Sequence, residues 1–227
     1  MQKTKKKIQP LVFLVVLVAV AMTVITIINK QNFFLVLPLY ISIIIMFMQA
    51  KVNRFAFILG SINSIYYGVL NLVIYKVFAS AMQCFLVSCP IQLMTFIRWN
   101  KRPYGNSTIL RKMSNRARVL VALGCAIICT GAVFVLNTLG SSNTILDSIV
   151  TVLAILVSIL MLLSYSEYAF LNIVTCALST VLHFMLFLQG NSEMLCYVIY
   201  DIYSTLCCVL AAITATRLLK EQQKLKE

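Results

Sequence analysis

The sequence predicts an all-α integral membrane protein with eight transmembrane helices, and two observations lead to this class. Of the 227 residues, 61% are hydrophobic and 11% are charged, with a mean hydropathy of +0.96, whereas a soluble domain is roughly 45–50% apolar. Apolar runs close to the ~20 residues that cross a bilayer recur along the chain, joined by short loops. We place the spans at residues 10–28, 33–50, 55–75, 77–97, 119–138, 145–163, 165–188 and 194–216.

Weak internal similarity divides the spans into two groups of three. Laying Phe55–Ile58 on Tyr168–Leu171 brings spans two to four onto spans six to eight. Both groups cross the bilayer in the same sense, as in parallel-repeat transporters, whose sites lie near the midplane between the repeats. The single transmembrane domain, 1–227, then contains an extra N-terminal helix (1–32), the first repeat (33–97), a basic loop with a connector helix (98–138), the second repeat (145–216) and a tail (217–227).

Lysine and arginine fall in alternate loops, and this pattern predicts the orientation. All of the 19 Lys and Arg except Lys30 and Lys76 would lie on one side of the membrane, and the positive-inside rule makes that side the cytoplasm. We therefore expect a multi-pass protein of the cell membrane, with both termini cytoplasmic and the lipid bilayer as a partner. The net charge of +13 is a topology signal in this interpretation and predicts no nucleic-acid partner.

Motifs for catalysis and for ATP hydrolysis are missing from the sequence. Neither a G-x-x-x-x-G-K-[ST] phosphate loop nor an H-E-x-x-H pair occurs, so an ATP-driven pump and a zinc hydrolase are not expected. His183 is the only histidine, and the eight cysteines lie inside spans as small packing residues. We expect no enzyme activity, no metal and no cofactor; a membrane-embedded receptor, accessory subunit or enzyme is the alternative.

Polar side chains inside the spans mark the candidate substrate pathway, because an unpaired polar group in hydrocarbon is costly and usually faces the bundle interior. Amides donate and accept hydrogen bonds, and tyrosine rings stack on aromatic ligands. Alternatives stay open: Gln92 or Asn63 bonds a neighbouring helix, and Asp201 couples protons or pairs locally. The lining suits a neutral or weakly charged, hydroxyl-rich ring compound and comprises Asn63, Tyr67, Gln92, Asn172, His183, Tyr200 and Asp201.

Three segments resemble the PnuC family of vitamin transporters. They are "GSINSIYY" (Gly60–Tyr67), "PIQLMTFIRWNK" (Pro90–Lys101) and "YGNSTILRKMSNRARV" (Tyr104–Val119), and the resemblance extends over residues 33–223. It implies a helix arrangement like that of the SWEET sugar transporters, with an extra N-terminal helix before a three-plus-one-plus-three core.

The resemblance also implies a substrate and a mechanism. Members of the family take up nicotinamide riboside, and relatives take up thiamine or riboflavin, by facilitated diffusion; a separate cytoplasmic kinase then traps the substrate by phosphorylation. Asn63 and Gln92 match polar pocket residues of the family, and Tyr168-Ala-Phe-Leu-Asn172 matches a Trp-x-x-x-Asn element on span seven. We expect the Tyr168 ring to stack on the ring of the solute. Because Tyr168 stands where tryptophan is usual, the choice of vitamin stays open, as do ion coupling and homo-oligomerisation.

Overall fold

The computed structural model describes residues 8–74, 82, 84–138 and 144–225, which form eight helices. A π-helical stretch, Cys84–Ser88, runs directly into the fourth of them. The all-helical class predicted from the sequence is confirmed. The helices are α1 (Ile8–Ile28), α2 (Phe33–Ala50), α3 (Phe55–Val73), α4 (Cys89–Lys101), α5 (Asn115–Thr138), α6 (Thr144–Leu162), α7 (Tyr168–Leu188) and α8 (Met194–Lys224).

Within the described residues, α1, α2, α5, α6, α7 and α8 are long and apolar enough to cross a bilayer. The apolar part of α3, Phe55–Leu70, is shorter. The predicted fourth span is helical from Cys84 onward, and α4 continues four residues beyond its predicted end, to Lys101. The stretches 1–7, 75–81, 139–143 and 226–227, together with residue 83, lie outside the described residues.

Six helices surround a central cavity. α2, α3 and α4 pack in sequence, as do α6, α7 and α8, and the two groups meet where α2 contacts α8 and where α4 contacts α6. α1 packs on the outside against α2 and α8, and α5 packs against α6. The outer face of α5 leaves Ile127 and Phe134 each 73% exposed, as expected of side chains that face lipid.

An aromatic cluster fills the end of the bundle that carries the α4–α5 loop, which we call the loop end. Trp99 is 1% exposed and meets Phe57 edge-on, with 4.8 Å between the ring centres. Its indole Nε1–H donates to the backbone oxygen of Met161 at 2.8 Å. A tryptophan with its polar atom satisfied packs favourably in such a core, so the cluster joins α3, α4 and α6 beneath the cavity.

The α4–α5 loop is folded, although the sequence predicted only a basic connection. Strands β1 (Pro103–Tyr104) and β2 (Ser107–Thr108) pair antiparallel. Gly105 between them has φ +57°, a left-handed conformation that glycine adopts without strain. Beyond the hairpin, the Arg111 N–H donates to the Ser164 oxygen at 2.8 Å, which ties the loop to the start of α7.

The predicted tail, 217–227, is helical as far as Lys224, because α8 continues past the predicted end of its span. Gln222 on this extension is 6% exposed. Its Oε1 accepts the Leu110 N–H at 2.9 Å, and its Nε2 donates to the Thr108 oxygen at 3.0 Å. This two-way hydrogen bond satisfies the backbone of the loop and holds α8 against it.

Glu167, just before α7, anchors the same loop. Its Oε1 accepts the Met113 N–H at 3.0 Å and a hydrogen bond from the Arg118 guanidinium at 2.7 Å. Burial raises the pKa of the Glu167 carboxyl, but the bonds from Arg118 and Met113 outweigh burial, so the pKa lies below its ordinary value. Glu167 is therefore held ionised as a structural link between the loop and α7.

Candidate functional site

A cavity of about 370 Å³ lies between the two groups of helices. This volume falls within the roughly 300–1,000 Å³ of small-molecule sites. Five of the eight predicted site residues meet here, which brings residues from both halves of the chain to one place. The polar lining consists of Ser42, Gln49, Asn63, Ser64, Tyr67, Gln92, Thr95, Ser158, Asn172, Cys176 and Tyr200.

The wall of this cavity, as far as the described residues form it, contains no Asp, Glu, Lys, Arg or His. Amides, hydroxyls and phenols supply its hydrogen bonds, and residues such as Ile45 and Phe57 supply its apolar surface. A multiply charged anion would lose its hydration here without a counter-charge. A delocalised single positive charge can instead rest against carbonyl oxygens and aromatic faces, so the site suits neutral compounds and ring-borne cations.

Gln92 on α4 is seated on α3. Its Nε2 donates to Ser64 Oγ at 3.1 Å, and Ser64 in turn donates to the Gly60 backbone oxygen at 3.0 Å. A Cβ at residue 60 would stand 1.7 Å from Gln92 Oε1. Because Gly60 has no side chain, the Gln92 amide can occupy this space. Gly60 and Ser64 lie one turn apart on α3 and together form the seat for Gln92 at the cavity wall.

Asn63, also on α3, is held by α2. Its Nδ2 donates to Ser42 Oγ at 2.8 Å, and Ser42 donates back to the Pro38 oxygen at 2.9 Å. The other amide atom, Oδ1, is buried and has no hydrogen-bond partner. Asn63 and Gln92 therefore each bond a neighbouring helix, as one of the alternatives held. Both side chains also line the cavity.

Asn172 on α7 faces the cavity from the other half of the chain and has sulfur partners. Its Nδ2 donates to Cys208 Sγ at 3.1 Å. Cys176, which also lines the cavity, lies 3.6 Å from Cys208, sulfur to sulfur. Thiols are weak hydrogen-bond acceptors, so Asn172 is held less firmly than Gln92.

Tyr168 lies outside the cavity wall, unlike the expectation that its ring stacks on the solute. Its side chain is 3% exposed, and its ring centre is 6.3 Å from that of Trp99. Because Tyr168 is the first residue of α7, it lies a turn closer to the loop end than Asn172. The ring therefore belongs to the aromatic cluster beneath the cavity.

His183 and Asp201 also lie outside the cavity wall and contact each other. The His183 Nδ1 and an Asp201 carboxylate oxygen are 2.6 Å apart, with 23% and 7% of the two side chains exposed. Tyr197 flanks the imidazole, with 5.2 Å between the ring centres. Of the alternatives for Asp201, local pairing is the one that the geometry matches, and the pair joins α7 to α8.

Six polar lining residues were not among the predicted site residues: Ser42, Gln49, Ser64, Thr95, Ser158 and Cys176. Each falls inside a predicted span, which was the available signal. Hydroxyls carry a weaker signal than amides, since they can bond the backbone one turn earlier in any helix; Thr95 donates to the Ile91 oxygen at 2.7 Å in this way. Their position in the wall follows from helix packing.

Comparison with known proteins identifies the family. A crystal structure of the vitamin B3 transporter PnuC is similar in fold, with a TM-score of 0.75 and 21% identity over 93% of this chain and 91% of that chain. No curated protein matches the chain. The family of nicotinamide mononucleotide transporters matches residues 32–215, which include the whole described cavity wall and confirm the resemblance seen in the sequence. The chain therefore belongs to the nicotinamide mononucleotide transporter family and is a membrane transporter, not an enzyme.

Proposed function

We propose that this transporter carries nicotinamide riboside into the cell. The observation that supports this substrate is the uncharged cavity wall with its four amides, Gln49, Asn63, Gln92 and Asn172. A mononucleotide would add a phosphate with about −1.5 to −2 charges at pH 7, and no Lys or Arg of the described wall faces it. Since a buried charge without a partner is costly, the cavity favours the riboside over its phosphorylated form.

Recognition of the riboside divides between amides and aromatic rings. Asn63, Gln92 and Asn172 hydrogen-bond the carboxamide and the ribose hydroxyls, and Tyr67 and Tyr200 offer flat faces to the pyridinium ring. The remaining predicted site residues act from outside the wall: Tyr168 supports the loop end of the cavity, and the pair of His183 and Asp201 joins α7 to α8.

Transport is by facilitated diffusion in this proposal. The described cavity wall holds no carboxylate that could bind a coupling proton or sodium ion, and Asp201 is occupied by His183. Trapping follows from the same electrostatic argument. Once a cytoplasmic kinase has phosphorylated the riboside, the product no longer suits the uncharged cavity and stays inside.

The proposed topology places both termini and the α4–α5 loop in the cytoplasm, as the distribution of Lys and Arg indicates. We assign α2–α4 and α6–α8 as two parallel three-helix repeats of a SWEET-like core in the cell membrane. The peripheral packing of α5 on α6 supports its role as connector, and the contacts of α1 with α2 and α8 support its role as an additional helix.

Binding to the purified protein in lipid nanodiscs tests the substrate. Calorimetry with nicotinamide riboside, its mononucleotide, thiamine and riboflavin should show the tightest binding for the riboside. Gln92→Ala and Asn172→Ala should each weaken riboside binding roughly five- to a hundredfold, because a polar ligand group left unpaired costs about 1–3 kcal/mol. Thr180→Ala is a matched control, since Thr180 lies on α7 outside the cavity wall and only donates to the Cys176 oxygen. Mononucleotide binding as tight as riboside binding would refute the electrostatic argument, and tighter binding of thiamine or riboflavin would reassign the vitamin.

A further inference from the structure

The unpaired oxygen of Asn63 is the starting point. Asn63 is 5% exposed and borders the cavity, yet its Oδ1 has no hydrogen-bond partner. Buried polar groups in native structures are nearly always paired. Because Asn63 borders the transport cavity, we expect the missing donor for this buried oxygen to come from the solute.

Ser42 determines which amide atom stays open. A serine hydroxyl has one proton, and Ser42 donates it to the Pro38 oxygen at 2.9 Å. Its oxygen can then only accept, so the group of Asn63 that points at it must be the NH₂. The Nδ2 to Oγ distance of 2.8 Å agrees. The bond from Ser42 to the helix backbone thus holds the amide of Asn63 in one orientation, with the carbonyl oxygen left without a partner beside the cavity.

The same relay occurs a second time on the next pair of helices. Ser64 donates its proton to the Gly60 oxygen at 3.0 Å and accepts the Gln92 NH₂ at 3.1 Å. Gln92 Oε1 then lies over Gly60, which itself borders the cavity. In both relays, a serine satisfied by the carbonyl one turn earlier fixes an amide of the neighbouring helix with its NH₂ turned to the serine.

We propose that Ser42 and Ser64 are positioning residues that give one wall of the cavity the character of a hydrogen-bond acceptor. Such a wall selects a ring that carries an N–H or O–H donor and rejects the same ring with a carboxylate, which offers only acceptors. The proposal rests on the proposed function, since it concerns how the transporter reads its riboside. The specificity is lost when either amide is free to turn over.

The test compares nicotinamide riboside with nicotinic acid riboside, in which a carboxylate replaces the carboxamide. Calorimetric titration of the full-length protein in nanodiscs should show wild-type preference for the amide compound. Ser42→Ala frees Asn63 to turn its NH₂ to the solute, so the ratio of the two dissociation constants should fall roughly five- to a hundredfold. Ser42→Thr keeps a hydroxyl that can bond the same backbone oxygen and should keep the ratio. Ser64→Ala applies the same test to Gln92.

Thr175→Ala is the matched control. Thr175 lies on α7 outside the described cavity wall and donates to the Leu171 oxygen, one turn earlier, at 3.0 Å. Its removal should leave the ratio unchanged, and a purely structural loss would weaken both compounds alike. If Ser42→Ala and Ser64→Ala both leave the ratio of dissociation constants at the wild-type value, this inference is overturned and the proposed function stands. A wild-type protein that binds neither riboside overturns the proposed function and the inference with it.

Discussion

Substitution of Gly60 by alanine should disturb the cavity without disturbing the fold. The new Cβ would stand 1.7 Å from Gln92 Oε1 and 2.9 Å from Gln92 Cδ, so the amide must move away. The atoms displaced are the far end of a flexible side chain, and the rest of α3 can stay in place. Gly60→Ala is therefore a way to displace the Gln92 amide while leaving residue 92 chemically intact.

The expected magnitudes follow from the two hydrogen bonds involved. Loss of the Gln92–Ser64 bond (3.1 Å) costs about 0.5–1.5 kcal/mol net. Alanine in place of glycine inside a helix returns about 0.8–1 kcal/mol, so the melting temperature of the empty protein should change little. The riboside loses its own bond to the amide, which corresponds to roughly five- to a hundredfold weaker binding.

A double-mutant cycle in nanodiscs measures this coupling. In the Gln92→Ala background, the clashing atoms are absent, so Gly60→Ala should then have little further effect on riboside affinity. Gly68→Ala is the control, because Gly68 lies on the same helix as Gly60 but outside the cavity wall. Its new Cβ would meet the Phe85 ring at 2.7 Å. It should alter stability and leave affinity nearly unchanged. If Gly60→Ala weakens riboside binding as strongly in the Gln92→Ala background as in the wild type, Gly60 does not act through the Gln92 amide and the seat described for it is wrong.

Three further predictions concern the whole transporter. Accessibility labelling of single cysteines should place the loop Arg98–Arg118 and both termini in the cytoplasm, and an external C-terminus would overturn the proposed topology. Vesicles without an ion gradient should still equilibrate nicotinamide riboside, whereas an absolute need for a proton or sodium gradient would contradict facilitated diffusion and point to Asp201. Because the pKa of Glu167 is lowered in the folded state, its link to Arg118 should stabilise the protein above the ordinary pKa of about 4.5 and lose that effect as the pH falls through the lowered value. The melting-temperature difference between wild type and Glu167→Gln should therefore shrink on acidification, and a difference that grows would show the opposite sign of coupling.

The helices were predictable because the bilayer restricts what a chain can do. Backbone groups in hydrocarbon must bond within their own segment, so apolar length alone located α1, α2, α5, α6, α7 and α8. Three of the four cavity amides, Asn63, Gln92 and Asn172, were predictable for a related reason, because amides stand out in apolar spans.

Features that depend on packing between distant segments were beyond the sequence. The extension of α8 to Lys224 rests on Gln222, whose partners lie more than a hundred residues earlier. The position of Tyr168 in the aromatic cluster follows from how the first turn of α7 meets Trp99 of α4, which the residue types along one helix do not indicate. Ser42 was missed because a lone serine in a helix is ordinary until a neighbouring amide meets it.

The two halves of the cavity hold their amides differently, and this difference suits an unsymmetrical solute. Asn63 and Gln92 bond hydroxyls that are themselves fixed to the backbone, so these two amides form a rigid wall. Asn172 bonds a thiol, and a weak sulfur partner is readily exchanged for a ribose hydroxyl. The rigid wall can therefore read the carboxamide end of the riboside, while the second wall gains hydrogen-bond strength only when the solute is present. Since only interactions that differ between states can shift an equilibrium between them, Asn172 is the amide through which a bound riboside would act on the conformation of the transporter.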